Sequence, residues 1–260
     1  MSEMLHYEAD GEGGGPTLLL IHAMGADLSF WRACRAIWAG RFRCIAVDLR
    51  GSGGSVSAAR PVTVMDHVQD LTRLTETLAP GPHIPIGCAI GGTVAAAYGA
   101  HNAERCAGLV MSNPSIATGG SAREALAQRA RAVRDGGMDA CMPGAVDGAF
   151  KGDDDLARRA EYTSRFAAQD PVSYANVVEG ILDLDIRALA QTIALPTLIV
   201  SGDNDILLPP GEHAAPLHAA IAGSELVMLP GAAHFIPYQR PAAFAGLVID
   251  FIERRCAPRP

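Results

Sequence analysis

The chain has 260 residues, 49% of them hydrophobic, and a formal net charge of −7 with no basic block. That length suits one large α/β domain or a domain with an insertion, the apolar share is ample for a core, and the charge argues against nucleic acid as a partner. No apolar run reaches the ~20 residues of a membrane span, and residues 1–6 lack the charged-then-apolar order of a secretory leader, so a cytoplasmic protein off the membrane is expected.

Residues 5–9 read as a short edge strand ended by Asp10-Gly11. Residues 17–21 are a continuous apolar run between Pro16 and His22, the pattern of a strand buried on both faces of a parallel sheet. Residues 29–39 have helical spacing, with Trp31, Ile37 and Trp38 as core candidates and Asp27 or Ser29 as N-cap. Residues 43–47 form another buried strand and 48–55 a loop. Residues 63–78 place Val64, Val68, Leu71, Leu74 and Leu78 on one helical face, stopped by Pro80-Gly81-Pro82. The run 83–86 then passes through Gly87-Cys88-Ala89-Ile90-Gly91-Gly92 into the Ala-rich stretch 93–100, which reads strand, tight turn, helix. With a strand at 106–111, the alternation predicts a parallel sheet with right-handed crossovers.

The rhythm breaks after Pro114. Residues 116–191 show helical patterns at 121–134, 156–168 and 171–182 and no convincing strand. They are expected to form a helical cap, inserted after the strand ending near Met111, over a core built from 1–115 and 192–260. The alternation resumes with a strand at 197–201, a helix at 212–222, a strand at 226–229 and a closing helix at 241–255. The cysteines, Cys34, Cys44, Cys88, Cys106, Cys141 and Cys256, form no C-x-x-C and are expected as reduced, mostly buried thiols. No Cys/His cluster has metal-ligand spacing, and neither metal nor organic cofactor is expected. The run Gly13-Gly14-Gly15 reads as a surface turn.

Several short motifs fall along this order. They are Leu20-Ile21-His22-Ala23-Met24-Gly25 with Trp31 after it, Asp48-Leu49-Arg50-Gly51-Ser52-Gly53, and the turn around Ala89. They continue with Gly202-Asp203-Asn204-Asp205 after its strand, and Ala233-His234-Phe235 before Arg240-Pro241. With them, nearly the whole chain resembles the α/β-hydrolases, most closely the 3-oxoadipate enol-lactonase-like branch. Esterases, C–C hydrolases and haloperoxidase-like proteins share most of the set. The resemblance implies an α/β-hydrolase fold, with a mostly parallel central sheet flanked by helices.

In that family the strand–turn–helix carries G-x-S-x-G, the nucleophile elbow. A Cβ at either glycine would collide with the neighbouring strand and helix. The frame Gly87-Cys88-Ala89-Ile90-Gly91 puts Ala89 in the nucleophile position. Cys88 is out of frame, flanked at that spacing by Ile86 and Ile90, so it reads as a small apolar residue rather than a thiolate nucleophile. The family's order of nucleophile, acid and histidine implies His234 as base and Asp205, three after Gly202, as the acid. Asp203 reads as a turn former. The oxyanion hole implied is the backbone N–H of Met24 and of Ile90. His22, followed by Ala23 where relatives often have glycine, reads as a structural hydrogen-bonder. Arg50 and Ser55 read as a loop anchor. Ser112 and Asn113 stand where some relatives carry the acid, and neither is a carboxylate.

The activity this implies is serine-type hydrolysis of a small ester, lactone or enol-lactone through an acyl-enzyme. C–C bond or amide hydrolysis on the same triad is the alternative. Without the serine oxygen, turnover should fall by on the order of 10⁶, leaving a chain that binds substrate. Ala89 is read first as an engineered Ser→Ala change that traps a ligand, and second as a natural ligand-binding protein without turnover. The expected partner is a small molecule, such as a carboxylate-bearing ester or lactone; a homodimer is left open. Arg123, Phe150 and Tyr238 are the substrate-contact candidates, with Arg129 and Arg187 among further cap arginines. Each such arginine, taken singly, reads as part of a solvated helix face.

Overall fold

The apolar runs form seven strands: β1 (Tyr7–Asp10), β2 (Thr17–Ile21), β3 (Cys44–Val47), β4 (His83–Cys88), β5 (Leu109–Ser112), β6 (Thr197–Gly202) and β7 (Glu225–Leu229). The computed structural model describes residues 4–79 and 81–256. The strands lie in the order β1-β3-β2-β4-β5-β6-β7. β1 is antiparallel to β3, and the other pairs are parallel. Successive side chains point to opposite faces. Leu18, Leu20, Ile84 and Ile86 pack with Trp31, Trp38, Phe244 and Phe251 on one face. Leu19, Ile21, Ile45 and Val47 pack with Leu71, Leu74, Val94 and Leu217 on the other. With both faces covered, the central strands are apolar without interruption.

The helices are α1 (Arg32–Trp38), α2 (Val64–Leu78), α3 (Ile90–His101), α4 (Gly120–Gly136), α5 (Gly144–Ala149), α6 (Leu156–Ala167), α7 (Pro171–Glu179), α8 (Arg187–Ala190), α9 (Ala214–Ala220), α10 (Ile236–Gln239) and α11 (Pro241–Phe251). Among the described residues, no helix is long and apolar enough to cross a membrane. α2 begins with a capping box, in which the Thr63 hydroxyl accepts the Asp66 N–H at 3.2 Å and the Asp66 carboxylate accepts the Thr63 N–H at 2.8 Å. Its expected stop at Pro80, like the leader reading at Met1–Glu3, lies outside the described residues.

Several elements differ from expectation. Residues Leu28–Trp31 form a 3₁₀ turn, capped where Asp27 accepts the Ser29 N–H at 2.8 Å, and α1 starts only after it. Ile37 is 41% exposed rather than core. The inward face of α1 carries Cys34, Trp38 and Arg35, and Arg35 spans to Glu8 and Asp10 of β1 at 2.6 and 2.7 Å. The strand expected from 106 begins at Leu109; Cys106 makes only an isolated bridge to His83. The short α5 and the 3₁₀ turn Met138–Cys141 have too few residues to show a period.

The helical stretch is seated by rings. Tyr162 on α6 meets Phe235 at 5.0 Å and Phe150 meets Tyr238 edge-on at 6.3 Å, while within the stretch Phe166 meets Tyr174 edge-on at 5.4 Å. Such pairs add about 0.5–1.5 kcal/mol each beyond their burial. On the outer side, α4 packs along α7, where Arg134 reaches Glu179 and Asn176 at 2.7 Å each.

Beneath them the loop after β3 is tied down by buried charge. Asp48 accepts the N–H groups of Leu28 at 2.7 Å and Gly54 at 2.8 Å. Arg50 holds Asp70 of α2 through two bonds, at 2.8 and 2.6 Å. One turn before Asp70 on α2, His67 is buried with its Nδ1 unpaired. Burial pushes its imidazole from 6.5 down to about 4. Between those two values the unfolded chain holds a proton that the folded chain does not, so stability falls as pH drops below 6.5. At pH 5 this amounts to about 2 kcal/mol. Urea unfolding at pH 7 and pH 5 should therefore show a smaller acid loss for His67→Gln than for the parent chain. Equal losses would show that His67 does not carry the dependence.

Candidate active site

β4 ends at Cys88 and α3 begins at Ile90, so the chain reverses within a single residue. That residue, Ala89, has φ 53° and ψ −120°, a conformation costing a non-glycine residue on the order of 1–3 kcal/mol. The reversal is possible only because backbone touches backbone on either side of it. A Cβ on Gly87 would lie 2.0 Å from the Gly91 carbonyl oxygen. A Cβ on Gly91 would lie 2.4 Å from the carbonyl oxygens of Ile21 and His22. The turn carries Ala89 to the C-terminal edge of the sheet, where it lines a cavity of about 760 Å³.

His234 lies in the loop between β7 and α10 and also lines that cavity. Its Nδ1 is 2.9 Å from Asp205 Oδ2, and the Asp205 side chain is fully buried. The other carboxylate oxygen, Oδ1, accepts the N–H groups of Leu207 at 2.9 Å and Leu208 at 3.0 Å. One oxygen is thus fixed by the backbone and the other takes the imidazole N–H. That leaves the Nε2 lone pair free, and Nε2 has no hydrogen-bond partner among the described residues. Asp203 instead closes a turn, accepting the Gly231 N–H at 2.7 Å.

Asn113 ties these parts together. Its Nδ2 donates to the carbonyls of Ala233 at 2.9 Å and His234 at 2.7 Å. Its Oδ1 accepts from the Ser201 hydroxyl at 3.0 Å and the Gly202 N–H at 2.9 Å. Its φ of 42° is one that asparagine tolerates better than most residues. Sequence reasoning weighed this position only as a carboxylate site and so missed its role as an amide clamp.

Met24 and Ile90 also line the cavity, and neither backbone N–H has an acceptor among the described residues. His22 braces the loop that carries Met24. Its Nε2 accepts the Leu49 N–H at 3.0 Å, so its Nδ1–H donates to the Ala23 carbonyl at 2.8 Å. Burial lowers its pKa, which keeps the ring neutral. Cys88 points away from the cavity into the core, its sulfur 3.7 Å from the His234 carbonyl. Burial pushes that thiol well above 9, so it offers no thiolate at neutral pH.

The opposite wall comes from the helical stretch. It includes Ala122, Ala125, Leu126 and Arg129 of α4, and Phe166 of α6. The three expected substrate contacts lie elsewhere. Arg123 points outward and pairs with Asp183 at 2.9 Å, because it lies on the far side of α4 from Arg129. Phe150 is 1% exposed within the ring cluster, 5.4 Å from Tyr162. Tyr238 packs on Phe30, and its hydroxyl lies 3.2 Å from Glu161. Arg129 reaches the cavity half-buried and without an ion pair among the described residues. Arg187 reaches only the rim and pairs with Asp185 at 3.0 Å. His213, not foreseen, also lines the cavity; its Nδ1 accepts the Ile116 N–H at 3.4 Å, and burial lowers its pKa.

A histidine held by a buried carboxylate, two unpaired amides and a strained turn thus meet at one cavity. The profile of a family described as the alpha/beta hydrolase family matches residues 18–247. 3-Oxoadipate enol-lactonase 2 of Acinetobacter baylyi is 26% identical over 204 residues, covering 77% of this chain and 76% of that protein. RutD of Variovorax paradoxus, whose name carries a provisional assignment as a carbamate hydrolase, is 28% identical over 98% of each chain. The crystal structure of the enol-lactonase from Burkholderia xenovorans LB400 superposes with a TM-score of 0.90, at 31% identity and 96% coverage of each chain.

Removing the Asn113 amide would leave the Gly202 N–H and the Ala233 carbonyl without partners among the described residues, at about 1–3 kcal/mol per group. Asn113→Ala should lower unfolding stability by about 3 kcal/mol, read from urea midpoints. A loss below ~1 kcal/mol would show that the clamp does not hold the loop.

Proposed function

The chain belongs to the alpha/beta hydrolase family, and we propose that its site is that of a serine-type hydrolase of small esters, lactones or enol-lactones, in a form without its attacking oxygen. The observation that carries this reading is Ala89 at φ 53° between Gly87 and Gly91, beside the His234–Asp205 pair. With serine there, Oγ would attack the substrate carbonyl while His234 Nε2 takes its proton. Asp205 would hold the imidazolium, and the Met24 and Ile90 amides would receive the oxyanion. The alkoxide leaves with the proton from Nε2. Water then attacks the acyl-enzyme with His234 again as base. The names of the two enol-lactonase relatives support a lactone.

Residues 116–191 act in this reading as a cap over the core formed by 1–115 and 192–260, and its wall selects the substrate. Arg129, the cation inside an otherwise mostly apolar wall, favours a substrate bearing a carboxylate. The Ala89 chain is then either a Ser→Ala trap or a natural binder of the same ligand, working in the cytoplasm. Amide or carbamate hydrolysis on the same machinery is the second reading, favoured by the likeness to RutD.

Ala89→Ser should raise hydrolysis of short aryl esters, simple lactones or dicarboxylate-derived enol-lactones by on the order of 10⁶ over the Ala89 chain. Inertness of the serine form on all of these, together with tight binding of one by the alanine form, would replace this reading with that of a binding protein. In the serine form, Arg129→Met should raise KM about 10- to 100-fold for carboxylate-bearing substrates and leave neutral esters unchanged. Equal effects on both classes would remove Arg129 from substrate selection.

A further inference from the structure

We propose that the chain with alanine at position 89 is a carbon-acid catalyst, moving a proton from the carbon next to a ketone carbonyl to His234 and back. The inference rests on reading His234, Asp205 and the two amides as one site.

Three observations combine. First, the base is intact: Asp205 fixes Nδ1 at 2.9 Å, and Nε2 keeps its lone pair without a partner among the described residues. In a serine hydrolase the nucleophile's hydroxyl occupies that lone pair; here a methyl group stands at its root. Second, the Met24 and Ile90 N–H groups are also unclaimed, so a carbonyl oxygen can sit on them as it would in acyl transfer. Third, a carbonyl held there presents one face toward the space the hydroxyl would fill, and an α C–H bond standing perpendicular to the carbonyl plane points from that face. In an ester hydrolase that space delivers oxygen to the carbonyl carbon, and in this chain it can hold the α-carbon and its hydrogen. The dyad would then be aligned with a C–H bond instead of an O–H bond.

The step balances without a co-reactant. The α C–H bond breaks and its proton goes to Nε2. The bond's electron pair moves onto the carbonyl oxygen as an enolate, where the two amides hold it. The imidazolium, steadied by Asp205, exchanges its proton with solvent and returns one to the carbon. The substrate class is a small ketone with an α-hydrogen. Arg129 adds a preference for one that carries a carboxylate at the far end.

The test uses the chain as it stands, in deuterated buffer near neutrality. The probes are 4-oxopentanoate and cyclopentanone, with loss of the α-hydrogen resonances followed by proton NMR. Enzyme-dependent exchange should exceed that of His234→Gln by about 100-fold, the usual contribution of a positioned base. Asp205→Asn should fall close to His234→Gln. Ala89→Ser should exchange several-fold more slowly than the alanine chain, because its hydroxyl reclaims Nε2. Exchange equal to that of a cooperatively folded His234→Gln protein overturns the proposal. So does a serine form that exchanges as fast as the alanine form, or the absence of enzyme-dependent exchange on both probes. Failure of the serine form to hydrolyse any ester or lactone would instead sink the hydrolase reading and leave this measurement intact.

Discussion

Everything at this site depends on one backbone contact. The first turn of α3 lies against the end of β2 so closely that Gly91 has no room for a methyl group between it and the carbonyls of Ile21 and His22. Gly87 meets the same constraint from the carbonyl of Gly91 itself. The contact forces the reversal at Ala89 into its strained conformation, and it places the N–H of Ile90 beside the loop that carries Met24. The amide pair and the position between them are thus products of main-chain packing, which the side chain at 89 does not alter. Replacing a hydroxymethyl by a methyl group leaves such a scaffold standing.

The second constraint is electrostatic. Asp205 sits out of water, and a buried carboxylate is tolerable only if its oxygens are occupied. Two backbone amides take one oxygen and an imidazole takes the other. That division orients His234 with its basic nitrogen toward the cavity. Asn113 then secures the histidine's own backbone from the neighbouring strand end. The three residues come from three loops at one edge of the sheet, and each loop is held partly by another.

Much of this was legible in the residues. The unbroken apolar runs marked a sheet covered on both faces. The glycines spaced about Ala89 marked the turn, and the order of Ala89, Asp205 and His234 marked three positions that the structure brings together, Ala89 and His234 at one cavity and Asp205 buried behind the histidine. What could not be read was which way a side chain faces within a helix of mixed composition. Arg123 and Arg129 lie six residues apart on α4, and only packing against α7 decides that the second turns inward. Phe150 and Tyr238 are aromatic near a cavity, which made them natural candidates, yet rings prefer each other's edges and faces to an open wall. Asn113 was passed over because it has no acid, although its neutral amide can donate and accept at once, as this position requires.

The ring cluster and the cavity wall overlap: Tyr162, Phe166, Tyr174 and Phe235 belong to both, and Phe30, Phe150 and Tyr238 stand behind the wall. Phe150 joins the helical stretch to Phe235 and Tyr238 of the core, while much of the α4 surface facing the cavity is alanine, at Ala122 and Ala125. A larger or more polar residue at those alanines reshapes the cavity without touching a ring pair. The cavity's shape can therefore change at α4 alone, whereas a change at Tyr162, Phe166, Tyr174 or Phe235 alters the wall and the ring packing together.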